Sequence, residues 1–113
     1  MSIHSYESFV KEAKQEPIKV FAANRLKGAT EIAMNAKEKG GDALLTYHHF
    51  SVKLPYYQQE VEGTLDMKKS EAEFQSLLGE LSATGTNTDQ IVFQELVGKL
   101  EVLGELIIRY KNP

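Results

Sequence analysis

The chain contains no cysteine and no tryptophan, and only three prolines and three aspartates. The missing cysteine excludes a disulfide framework, cysteine-bound zinc, iron–sulfur clusters and thiol nucleophiles together. No sign of charge dominates, since 13 Lys and Arg face 16 Asp and Glu for a formal charge of −3. That balance lacks the concentrated positive field of a general nucleic-acid binder, so nucleic acid is not expected as a partner. The longest charge-free run inside a helical pattern, 43–52, falls far short of the roughly 20 residues a membrane span needs. The first residues have no signal-peptide layout, and a cytoplasmic protein is expected. With 113 residues, 42% of them hydrophobic, the composition suits one domain over 1–113 with a single core.

Hairpin signals and alternating β-branched runs are missing too, whereas apolar residues recur at helical spacing throughout. The scarce aspartates mark where helices begin. Asp42 follows Gly40-Gly41, Asp66 follows Gly63-Thr64, and Asp89 follows a stretch of Thr, Gly and Asn. A short carboxylate accepts hydrogen bonds from the unpaired amides of a first turn and meets the positive end of the helix dipole. The reading is an all-α, up-and-down antiparallel four-helix bundle with helices at about 17–39, 42–63, 66–83 and 88–111. A short extra helix at about 5–15 precedes it, and Pro17 suits the first turn of the next helix.

Each long helix carries a seam. Ala22, Leu26, Ala29, Ala33 and Ala36 make a mostly alanine one, which lets a neighbouring backbone come close. Tyr47, Phe50, Leu54, Tyr57 and Val61 make an aromatic one, and Leu96, Leu100, Leu103 and Ile107 an aliphatic one. The last helix has a second apolar set in Val92, Val97, Val102, Leu106 and Ile108. A helix apolar around most of its circumference is either central or covered by another chain. Gly28, Gly79, Gly98 and Gly104 fall inside helices but off the main seams, where they would let a second chain approach. A homodimer through the last helix is therefore expected, with Val97, Val102, Gly104 and Ile108 at its interface.

Residues able to do chemistry concentrate in 46–58. Tyr47, His48, His49, Lys53, Tyr56 and Tyr57 are the candidate residues for binding a ligand or partner, because amphipathic rings gathered this way suit a pocket or hot spot. The plainer reading packs Tyr47, Phe50 and Tyr57 in the core and makes His49 a hydrogen-bonded filler. Adjacent His48 and His49 diverge by about 100° on a helix and have no carboxylate three or four residues away, so no metal or other cofactor is expected. Glu101 and Glu105 share a face and read as solvated surface beside Lys99 and Arg109. Lys53 reads as laying its stem over the adjacent tyrosine rings. Pro55 either kinks one helix or opens a new one from its first turn.

No nucleophile elbow or phosphate-binding glycine loop is present, and no catalytic residue is assigned. The leading expectation is a non-enzymatic helical interaction module, homodimeric and open to another protein partner. The alternative is a small-ligand-binding or regulatory protein with its pocket at 47–57, and an enzyme at the same cluster comes third. Fold class alone does not choose among them.

Overall fold

Residues 18–84 and 89–111, which the computed structural model describes, form five α-helices and no other regular element. They are α1 (Ile18–Lys39), α2 (Ala43–Ser51), α3 (Leu54–Glu62), α4 (Met67–Thr84) and α5 (Gln90–Lys111). The protein is all-α, as its apolar spacing implies. The helix expected at 5–15 and the role of Pro17 lie outside the described residues. No described helix is long and apolar enough to cross a membrane.

Two of the three aspartates cap their helices. The Asp66 carboxylate accepts from the Lys69 amide at 3.0 Å, and that of Asp89 from the Ile91 amide at 2.8 Å. Asp42 makes no such bond, because its own backbone is already helical at φ −63°, ψ −22°. The preceding glycines do that work instead. Gly40 and Gly41, at φ 64° and 57°, fold a left-handed turn whose carbonyls accept from the Ala43 and Leu44 amides, each at 3.1 Å.

Pro55 opens a new helix. α2 ends at Ser51 and α3 starts at Leu54 with the proline in its first turn, so the single helix expected over 42–63 is two. Val52 and Lys53 between them keep right-handed helical dihedrals, which carries the chain onward in nearly the same direction.

α1 packs on α2 and α3, α2 packs on α5, and α4 packs on α5. The alanine seam behaves as expected, with Ala22, Ala29, Ala33 and Ala36 all buried. Hydrogen bonds from the α2–α3 arm to α5 join His48 to Glu95, Lys53 to Glu101, Tyr57 to Glu105 and Glu60 to Tyr110. Their sequence separations are 47, 48, 48 and 50 residues, a nearly constant offset. The two arms therefore run parallel.

α5 is the central helix. On one side Val102 and Leu106 pack with Ala22, Ala29 and Tyr57. On the other, Leu96 and Leu103 pack with Leu77, and Tyr56 touches both clusters. Val102 and Leu106 of the surplus apolar face are thus core within the chain, whereas Val92 is exposed. Val102, expected at a dimer interface, is completely buried. Gly104 faces the Phe74 ring on α4, which lies 3.5 Å from where a Cβ would stand. Val97 is half-buried, and of the four expected interface residues Ile108 alone is open, at 62% exposure.

Gly98 is the point where α5 meets α2. A Cβ there would overlap the His49 carbonyl oxygen and stand 2.7 Å from Val52 Cγ2. Gly98 was expected on an outer face, yet it is buried at the crossing. Gly98→Ala is expected to destabilise by about 1–3 kcal/mol, because backbone must move to admit the methyl group. Gly79→Ala, with nothing within 4 Å, is expected to stabilise by up to about 1 kcal/mol. Urea unfolding of both variants checks this, and a Gly98→Ala protein as stable as wild type overturns the account of the crossing.

Candidate functional site

Close contact at Gly98 joins α5 to α2, while α5 touches α3 only loosely further along. The interval between α5 and the packed pair α1 and α3 is spanned by long side chains. At its head, the Pro55 break leaves Lys53 as the residue that caps α3, with its side chain turned inward. Lys53 is only 9% exposed, and its Nζ donates to Glu101 Oε1 at 2.7 Å and stands 5.0 Å from the Phe50 ring centroid. The ammonium thus stands beside the Phe50 ring. One turn on, the buried Tyr57 donates its hydroxyl to Glu105 Oε1 at 2.6 Å. Arg25 of α1 approaches the other oxygen of Glu105 at 3.8 Å. At the far end, Tyr110 donates to Glu60, which is almost fully buried, at 2.7 Å. Phe21 closes that end, with the Arg25 and Arg109 guanidinium carbons 4.9 and 3.2 Å from its ring centroid.

These side chains do not fill the interval. A cleft of about 340 Å³ remains. Asn24, Arg25, Gly28, Ala29 and Ile32 of α1 form one wall, Phe50, Lys53 and Tyr57 a second, and Glu105 of α5 the third.

The six candidate residues do not converge on one pocket. Lys53 and Tyr57 line the cleft, and the other four point elsewhere. His48 Nδ1 meets Glu95 at 3.1 Å, and His49 meets Gln94 and Glu101 through its two ring nitrogens, so both histidines stitch α2 to α5. Tyr56 donates to Glu73 of α4 at 2.9 Å, and Tyr47 packs its ring against Lys37 of α1. Adjacent helical residues diverge, so a cluster that is dense in sequence is shared among three neighbouring helices. Among the described residues no group of three or more side chains could hold a metal ion.

Sequence reasoning missed Arg25, Glu105 and Glu101. The two glutamates were expected on a solvated face. Instead Glu105 is half-buried under Tyr57, and Glu101, though half exposed, anchors Lys53. Arg25 follows Ala22 by three residues and precedes Ala29 by four, which places a charge on the packed face of α1. That spacing was the available signal.

The electrostatics follow from this packing. Burial alone would raise the Glu101 carboxyl. The Lys53 hydrogen bond and charge, with His49 adding to them, outweigh it and hold the group below its usual range. Burial pushes the hydroxyls of Tyr56, Tyr57 and Tyr110 up, and the carboxylate that each one donates to pushes further. Tyr110 is pushed up to about 12 from an ordinary value of 10.0. Because the folded values are raised, these bonds stabilise fully below pH 10 and are lost as pH rises toward the folded values, for Tyr110 between about 10 and 12.

Tyr57→Phe is expected to lose about 1.5–3 kcal/mol near neutral pH, the range for a hydrogen bond to a charged group. Tyr110→Phe should destabilise as well, and its deficit relative to wild type should shrink between about pH 10 and pH 12. Urea midpoints followed across that range check the sign, and a deficit that stays constant to the upper limit contradicts it. Comparison with family models, with curated proteins and with solved structures finds no match to this chain, so the cleft is read from its own geometry.

Proposed function

We propose that this chain is a cytoplasmic small-ligand-binding protein whose ligand seats in the cleft between α1, α3 and α5. The observation that carries the reading is a cleft of about 340 Å³ with a buried lysine in its wall. Small-molecule sites are concave, a few hundred Å³ or more in volume, and mix apolar walls with a few converging polar groups. Ala29, Ile32 and Phe50 provide the apolar lining here, and Asn24, Arg25, Lys53 and Tyr57 the polar one. Burying an ammonium group carries a desolvation penalty of several kcal/mol, which a helical bundle avoids by placing leucine there. A binding role accounts for the lysine where packing does not.

Gly28 supplies the test. It lines the cleft, and nothing lies within 4 Å of a Cβ built on it, so Gly28→Leu fills the space without deleting any polar group. Fragments from a chemically diverse library are expected to shift the Ala29, Phe50 and Tyr57 resonances of the wild type. The same fragments should leave those signals unmoved in Gly28→Leu, whose fold is checked by circular dichroism. A library without a hit at the cleft, or hits indifferent to Gly28→Leu, overturns the proposal.

A second reading, self-association through α5, rests on the exposure of Ile108 at 62%. Light scattering is expected to show a dimer mass for the wild type and a monomer mass for Ile108→Glu. A monomer mass for the wild type ends this reading and leaves the first untouched.

A further inference from the structure

We infer that the cleft selects a small monocarboxylate carrying a flat or branched apolar body, an inference that rests on the ligand-binding reading above. Lys53 is the deciding group. Its ammonium has three donor hydrogens, and Glu101 takes one of them. Glu101 approaches with its own side chain 52% exposed. Lys53 lines the cleft, with only 11% of its side chain exposed. A ligand oxygen placed in the cleft can therefore accept from Lys53 without displacing Glu101.

The lining charges point the same way. Arg25 pairs with Glu105 and Lys53 with Glu101, so both cations already have a carboxylate, and what Lys53 still offers is its remaining ammonium hydrogens. Glu105 is already engaged on both oxygens, by the Tyr57 hydroxyl at 2.6 Å and by Arg25 at 3.8 Å. A cationic ligand would have to break one of those contacts and then lie against Lys53. A monoanion accepts from the ammonium hydrogens that Glu101 leaves and breaks neither contact. A dianion would add a second negative charge close to Glu101 and Glu105, in surroundings where like charges repel strongly.

The rest of the lining sets the body of the ligand. Gly28 and Ala29 follow one another on α1 and project almost nothing into the space, while Ile32 and Phe50 supply apolar and aromatic surface. A surface built from glycine, alanine and a ring accepts a flat group by stacking and a branched one by contact area. Asn24, exposed at the rim, adds amide donors and an acceptor that suit a polar substituent.

The experiment uses three probes of matched shape: 3-phenylpropionate, 3-phenylpropanol and phenethylamine. Each is titrated into the full chain near neutral pH while the cleft resonances are followed. The carboxylate is expected to bind at least about tenfold tighter than the alcohol, the fold-change equivalent to one hydrogen bond to a charged group, and the amine to bind weakest. Lys53→Met should reduce the carboxylate affinity by a similar factor and leave the alcohol unchanged, a split that a merely structural role of the lysine does not produce. If the amine or alcohol binds as tightly as the carboxylate, and Gly28→Leu abolishes that binding, the ligand class is wrong and the binding reading stands. If no probe reaches the cleft while other fragments do, the class again fails alone. If nothing of any chemistry reaches it, both fail.

Discussion

The contact between Gly98 and the His49 carbonyl is the constraint from which the rest of the arrangement follows. It lets the α5 backbone come within reach of α2, closer than any side chain at position 98 permits. Beyond that close approach the two arms pack less tightly, since α5 lies close against α2 and only loosely against α3. The separation falls between α5 and α3, and α1 shares its edge. A glycine at one crossing thus determines where long side chains are required, and their incomplete filling of the gap is the cleft.

The residues that span the gap show how a small helical protein bridges a wide interval. Tyr57 and Tyr110 each donate to a glutamate across it, as Tyr56 does toward α4. A tyrosine combines an apolar ring, which tolerates burial, with one donor at the tip. It satisfies a carboxylate without bringing a second full charge out of water, which a lysine in the same place must do. Two bonds between the arm and α5 follow this pattern, so Lys53 stands out as a buried cation beside neutral donors. Its neighbours show that the fold has a less demanding way to hold a glutamate at this interface.

Much of the framework was legible in the residues because it depends on local rules. The alanines of α1 repeat at helical spacing and are buried, and Asp66 and Asp89 cap the helices they precede. Asp42 obeyed the statistics without the mechanism, because the glycine turn before it had already satisfied the amides. Gly98 and Val102 were misassigned for one shared reason. Periodicity tells which residues of α5 share a face, but not how many neighbours the helix has, and a central helix buries two faces where an outer one buries a single face. The site was only partly legible. Lys53 and Tyr57 were found through composition, whereas Glu105 looked like solvated surface because its partners, Tyr57 and Arg25, are distant in sequence.

Mid-helix glycines need separate treatment, since each lowers helix stability by up to about 1 kcal/mol relative to alanine and each calls for its own reason. Gly98 has one in the crossing. Gly79, exposed on α4, has no account in the structure, so a helical glycine is not by itself a sign of function. Gly28 differs from Gly79 in its surroundings. It borders the cleft, one residue from Ala29 and in the same enclosure as Lys53, where any side chain larger than hydrogen would project into the space. A buried lysine where a neutral donor would serve and an adjoining helical glycine without a packing reason are two departures from the stablest sequence in one place. Both keep the cleft open and polar, and they are the features on which the proposed ligand-binding role rests.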